Sequence, residues 1–275
     1  MRIPRAACIN DLSGFGRCSL TTAISVISAA GVQVCPLPTA ILSKHTGFPG
    51  FYFSDFTDSM SPYIDNWNDV EFDGIYSGFL GSSKQINIVE NFIEFRKKGS
   101  VPPKIIIDPV MGDNGRLYPT YTEEMKDKIS ILVSHADLAT PNITEACFMT
   151  GTPYTGENIS DNKAEELCRK IFDSGCKNIV LTGIVRENNI INFSFDGNSF
   201  FMDKICRESR IYSGTGDIFA SVVCGLMLKG IGIPECVKAA GKFISEAIRN
   251  TTEMNAAIKE GVVFEPLLYK LSEYR

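Results

Sequence analysis

The chain has 275 residues, 44% of them hydrophobic and 21% charged, with a net charge of −5. These values fit an ordinary globular chain large enough to bury a sizeable core. They argue against an electrostatic nucleic-acid surface, and no window reaches the ~18 apolar residues that a membrane span needs.

The start of the chain carries no signal-peptide pattern, so cytoplasmic residence is expected. Nine cysteines are scattered without a C-x-x-C pair, and His45 and His135 are the two histidines. Reduced, hydrophobe-like thiols are expected rather than a zinc site. Ala6 to Ile9 reads as a buried strand, and Thr21 to Ala30 as a helix closed by Gly31. Strands follow near Val32 to Pro36 and near Phe72 to Tyr76. Asn87 to Lys98 reads as a helix closed by Gly99. The β-branched run Ile105-Ile106-Ile107 predicts a strand covered on both faces. Thr120-Tyr121-Thr122-Glu123 fits a capping box, with a helix after it. Asp137 to Ala139 reads as a short strand, Glu145 to Met149 as a helix, Lys163 to Phe172 as a helix, and Ile179 to Leu181 as a strand. Asn189 to Phe195 and Asn198 to Met202 flank Asp196-Gly197, a hairpin signal. Two helices close the pattern, starting near Asp217 and Pro234.

This alternation predicts an α/β fold of three α/β/α layers. Its central sheet is mostly parallel, with antiparallel edge strands late in the chain. No linker or internal repeat is visible, so one domain over residues 1–275 is expected. Ligands in open α/β sheets bind beyond the carboxyl ends of the strands. The predicted strands end in Asn10-Asp11-Leu12-Ser13-Gly14, Asp108-Pro109-Val110-Met111-Gly112-Asp113, Thr140-Pro141-Asn142-Ile143-Thr144-Glu145 and Thr182-Gly183. These segments should share one rim.

The segment Gly214-Thr215-Gly216-Asp217 leads into a helix. Its glycines permit close backbone approach, and the free N–H groups of the helix start favour an anion. A carboxylate beside such a nest suits phosphoryl transfer, with Asp217 accepting the attacking hydroxyl's proton. Asp217 could also simply cap its helix. Asp108 could cap a turn, Asp113 could be a plain turn residue, and Glu145 could serve only the helix dipole. The aromatic stretch from Phe48 to Phe56 could cover a substrate or form a dimer surface. A P-loop motif is absent, and Gly14-Phe15-Gly16 lacks the third glycine of a dinucleotide fingerprint.

Taken together, the motifs resemble the pyridoxal kinase branch of the ribokinase-like superfamily. Gly214-Thr215-Gly216-Asp217 matches the superfamily's anion hole and catalytic base. Asp108-Pro109-Val110-Met111-Gly112 and Thr140-Pro141-Asn142 through Glu145 match segments shared with the hydroxymethylpyrimidine kinases. Ser43-Lys44-His45-Thr46-Gly47 resembles the S-x-H-T-G signature on the substrate side, and Gly78-Phe79-Leu80-Gly81-Ser82 resembles G-Y-L-G-S. The likeness runs from about Ala6 to the helix after Asp217.

The resemblance implies ATP-dependent phosphorylation of the 5′-hydroxyl of pyridoxal, pyridoxamine or pyridoxine. Asp217 would be the base, and Gly214, Thr215 and Gly216 the anion hole. Ser13, His45, Thr46 and Phe79 would lie on the substrate side. Asp108, Asp113, Thr140, Asn142, Glu145, Thr182 and Thr215 would lie along ATP. Asp108 and Glu145 would order Mg²⁺ through water, a segment near Asp203 to Ser213 would cover the nucleotide, and a monovalent cation such as K⁺ and a homodimer are common in the family. Neither nucleic acid nor membrane is implied as a partner. Lys44, Phe79 and the segment Asp11 to Gly16 depart from the pyridoxal kinase pattern, which bears on the preferred vitamer. A hydroxymethylpyrimidine kinase is the alternative, although that branch often carries cysteine where Asp217 stands. A non-catalytic vitamin-binding protein is the third reading, and loss of the base or the carboxylates would mark it.

Overall fold

The computed structural model describes residues 2–208, 210 and 212–274. In chain order the elements are β1 (Arg5–Ser13), α1 (Ser19–Ala29), β2 (Gln33–Leu42), β3 (Phe53–Asp55), α2 (Thr57–Asp65), β4 (Gly74–Ser77) and α3 (Ser83–Lys97). Then come β5 (Lys104–Ile107), β6 (Gly112–Asp113), β7 (Arg116–Leu117), α4 (Glu123–Ser134), β8 (Leu138–Ala139), α5 (Ile143–Thr150) and α6 (Asp161–Asp173). The last elements are β9 (Ile179–Arg186), β10 (Asn189–Phe195), β11 (Phe200–Cys206), α7 (Thr215–Leu228) and α8 (Ile233–Glu253), followed by 3₁₀ segments at Ile258–Glu260 and Glu265–Glu273.

One sheet runs in the order β11-β10-β9-β8-β5-β4-β1-β2-β3, and β6 pairs with β7 as a small separate ribbon. Neighbours from β9 through β2 are parallel. The antiparallel strands β10 and β11 extend one edge, as the Asp196-Gly197 signal predicts. The other edge also carries an antiparallel strand, β3 on β2, which the sequence pattern did not mark. Three residues, Phe53 to Asp55, are too few to show a period of two,. The helix after it, α2, contains Pro62, so local propensity conceals it,.

Successive side chains of a strand point to opposite faces, so each buried strand feeds two cores. Ala6, Cys8 and Ile106 join the core under α1, α7 and α8 with Leu20, Val222 and Ala240. Ala7, Ile9, Ile105 and Ile107 join the core under α3 to α6 with Val89, Ile129 and Leu167. That arrangement explains the unbroken apolar runs and gives the expected three layers.

Most helix ends match their local signals, with two corrections: α3 starts at Ser83, four residues before Asn87, behind a Ser82 cap that accepts from the Gln85 N–H, and α4 starts late. The cap of α4 is Thr122, whose hydroxyl accepts from the Met125 N–H, so the helix starts two residues later than the Thr120 box implies. The capping box lies instead at α5. There the Asn142 side chain accepts from the Glu145 N–H, and Glu145 Oε2 accepts from the Asn142 N–H, both at 2.9 Å. Such a cap contributes about 1 kcal/mol and fixes both side chains.

Candidate active site

Chain order reverses at β1, which lies between β2 and β4. The carboxyl ends of the parallel strands therefore meet helix starts at one rim, where open α/β sheets bind ligands. A cavity of about 640 Å³ opens there. Asp108, Asp113, Thr140, Asn142, Glu145, Thr182, Gly214, Thr215, Gly216 and Asp217 all line it. Every residue placed along the nucleotide from the sequence thus faces one space. Of the Asp203 to Ser213 segment, Ile205, Cys206, Arg207, Glu208, Arg210, Tyr212 and Ser213 border the cavity, while Ser209 and Ile211 lie outside the described residues.

Gly214 is the N-cap of α7 and adopts φ 83°, a left-handed backbone that favours glycine,. A Cβ there would also lie 2.1 Å from the Arg17 carbonyl oxygen, so both conformation and space require glycine. No side chain caps α7, which leaves its first N–H groups facing the cavity,. Asp217 sits in that first turn. Its carboxylate accepts from Asn10 Nδ2 at 3.4 Å, and burial pushes its pKa up to about 6, partly offset by hydrogen bonds from the Ser19 backbone and Asn10. Asn10 is held in turn, because its Oδ1 accepts from the Asp11 and Phe79 N–H groups at 2.9 and 3.0 Å. Its contact with Asp217 bridges ends of the chain that sequence spacing does not connect.

Asp108 follows the last residue of β5 and is 8% exposed; its Oδ1 accepts from the Thr140 hydroxyl at 3.1 Å. Burial raises its pKa, and the charge of Asp217 raises it further. Glu145 is 4% exposed, and its pKa is raised by burial and then by Asp108. Both Glu145 oxygens accept backbone N–H groups, from Met111 at 3.2 Å and from Asn142 at 2.9 Å. So Glu145 does cap its helix, and it keeps lone pairs beyond those two bonds. Thr182 reaches the rim through an irregularity in β9. Gly183 takes φ 77°, the β9–β10 register shifts there, and the Thr182 N–H donates to the Pro141 carbonyl at 2.9 Å,.

Among the described residues no group of three or more His, Cys, Asp or Glu side chains could hold a metal by itself. Two buried carboxylates on one cavity wall, with the charge of Asp108 raising the Glu145 pKa and that of Asp217 raising the Asp108 pKa, do fit a hard cation that takes its remaining oxygens from phosphate and water,.

The residues expected on the substrate side do not line this cavity. Ser13 is fully buried at the end of β1 and donates to Asp11 Oδ2 at 2.8 Å. His45 is hydrogen-bonded through both ring nitrogens, and Thr46 is exposed. Phe79 packs edge-on to Tyr121 at 6.2 Å. Residues to which the sequence reading gave no role include Asn10, placed there only within a rim segment, and Tyr118, Glu157, Asn192 and Ile258, of which the last four line the cavity. Asn10 had a visible signal, as a polar residue ending an apolar strand. The others had none, because their placement comes from distant elements.

A family model for phosphomethylpyrimidine kinase matches residues 18–261. Among solved structures, a provisionally assigned phosphomethylpyrimidine kinase from Bacteroides thetaiotaomicron VPI-5482, crystallised with pyridoxal, is 37% identical. It covers 98% of this chain and 96% of its own, with a TM-score of 0.92. A pyridoxal kinase of Dictyostelium discoideum is 24% identical over 226 residues, which is 75% of this chain and 72% of that protein. A hydroxymethylpyrimidine/phosphomethylpyrimidine kinase of Aquifex aeolicus is 25% identical over 191 residues, 68% of this chain and 71% of that protein. The chain belongs to the phosphomethylpyrimidine kinase family. It is an enzyme, a small-molecule kinase, and the pyridoxal kinases among its relatives bear out the resemblance read from its motifs.

Proposed function

We propose that this kinase transfers the γ-phosphoryl of ATP to the 5′-hydroxyl of a vitamin B6 vitamer. The observation that carries the chemistry is the uncapped start of α7, with Asp217 in its first turn, opening into the cavity that Asp108 and Thr140 also line. The choice of acceptor is supported by the Ser43 to Gly47 motif and by the Bacteroides relative that was crystallised with pyridoxal.

Asp217 is the base. With a pKa of about 6 it is ionised at neutral pH, yet basic enough to take the proton of an attacking hydroxyl,. Asn10 orients the carboxylate. The N–H groups at Gly214, Thr215 and Gly216 face the charge that develops on the transferred phosphoryl. Asp108, with Glu145 acting through water, would hold Mg²⁺. Bound there, the cation would offset phosphate charge and the mutual repulsion of the buried carboxylates. Thr140 fixes the Asp108 carboxylate, and Thr182 and Asp113 extend the polar wall along ATP. Nine free thiols suit the reducing cytoplasm,.

The second reading, phosphorylation of hydroxymethylpyrimidine, is favoured by the family model and by the Aquifex relative. A coupled ATP assay on pyridoxal, pyridoxamine, pyridoxine and hydroxymethylpyrimidine separates the two. Turnover of at least one B6 vitamer with a higher kcat/KM than hydroxymethylpyrimidine is expected. Turnover of hydroxymethylpyrimidine alone would replace the acceptor with the pyrimidine.

A further inference from the structure

We infer that His45 is a positioning residue. It latches the loop on the acceptor side to the turn that borders the nucleotide cavity, so that nucleotide binding closes the acceptor side. The inference rests on the kinase reading above and goes beyond a pocket-lining role for the histidine.

Both nitrogens of the imidazole are engaged. The Gly47 N–H donates to Nδ1 at 3.0 Å, so Nδ1 is the acceptor. Nε2 then carries the proton and donates to the Lys259 carbonyl at 2.7 Å,. A neutral ring bonded in this way has no free nitrogen to offer an acceptor's polar substituents. The half-buried ring also sits close against two glycines. A Cβ on Gly16 would lie 2.2 Å from Cδ2, and one on Gly47 would lie 2.7 Å from Cε1. Phe48 meets the ring edge-on at 4.7 Å and packs on Phe15 at 5.3 Å, while the His45 N–H donates to the Phe15 carbonyl at 3.2 Å.

Three segments distant in sequence therefore meet at one side chain. They are the turn from Gly14 to Cys18, the loop from Ser43 to Phe48, and the 3₁₀ turn Ile258–Glu260. Each of the two partner segments touches the phosphate side. Ile258 lines the nucleotide cavity. The Glu260 carbonyl accepts from the Arg17 N–H at 3.1 Å, and the Arg17 carbonyl occupies the space that a side chain at Gly214 would need beside the anion hole. A nucleotide that orders Ile258 orders the Lys259 carbonyl beside it. The imidazole passes that order to Gly47 and the acceptor loop. Two sites that share one hinge group are coupled in binding free energy, and the coupling is reciprocal.

The test is hydrogen exchange on the full chain with and without Mg²⁺ and adenylyl imidodiphosphate, a non-hydrolysable ATP analogue. It compares the natural chain with His45→Phe, which keeps a ring between the two glycines but removes both hydrogen bonds. His45→Gln keeps a donor for the Lys259 carbonyl. In the natural chain the analogue should slow exchange at residues 43–52 by about 5-fold or more, the lower end of ordinary coupling. His45→Phe should lose that protection while keeping protection at 214–219, and His45→Gln should restore part of it. Equal protection of 43–52 in all three chains overturns the latch, as does loss in both variants alike. Protection at 214–219 without any at 43–52 in the natural chain overturns the latch alone. No protection in either region overturns the kinase reading and the latch together.

Discussion

The two halves of the site are built differently. On the phosphate side, Asp108, Thr140, Asn142, Glu145 and the Gly214 to Asp217 turn all sit at strand ends or helix starts, and all line one cavity. On the acceptor side, Ser13 is tied to Asp11, Phe79 packs on Tyr121, and His45 is held by a carbonyl 214 residues away. The phosphate side uses groups that any parallel α/β sheet exposes at that rim, so local sequence places them. The acceptor side depends on loops whose shape is set by contacts between remote segments. Shared chemistry and individual specificity therefore rest on different levels of structure.

The sharpest way to break that contrast is at the base. Asp217→Asn keeps the shape of the side chain and its contact with Asn10 but cannot take a proton. We expect kcat to fall by about 10²–10⁴-fold with the affinity for an ATP analogue little changed. Activity near that of the natural chain would remove Asp217 from the chemistry and leave only its role in the first turn of α7.

Gly214→Ala should come next. Its Cβ would meet the Arg17 carbonyl at 2.1 Å and would strain a backbone at φ 83°. A loss of kcat of about 10²-fold is expected, the effect of removing one well-placed anion-hole donor. The acceptor KM should change far less. An effect confined to acceptor KM would mean that the Arg17 turn serves the acceptor side instead.

The smallest effect is on stability, and its sign follows from proton linkage. Burial and the nearby charge of Asp217 raise the Asp108 pKa, so the folded protein holds that proton more tightly than the unfolded chain does. The stabilisation is present below the usual carboxyl value of about 3.9 and is lost as pH rises through the raised folded value. In metal-free buffer at pH 7, Asp108→Asn should therefore raise Tm, by roughly 2 °C for each ~1 kcal/mol relieved. It should give little gain at pH 4, and it should lower activity. An equal or lower Tm at pH 7 would show that Asp108 is not an uncompensated buried charge.

By itself the sequence determined the layered α/β class, the edge hairpin at Asp196-Gly197, and the chemical set at the rim. It could do so because periodicity, caps and glycine turns act over a few residues. It did not mark β3 or α2, since three residues carry no period and Pro62 conceals a helix. It placed the Thr120 box where Thr122 is the cap, and it treated Asn142 and Glu145 as ligand residues without their reciprocal cap. Only the tertiary structure brought Asn10 to Asp217, Arg17 to Gly214 and His45 to Lys259. Those pairs lie about two hundred residues apart. Their meeting is decided by how strands order in the sheet and how loops pack over its rim, and no local pattern in the chain encodes it.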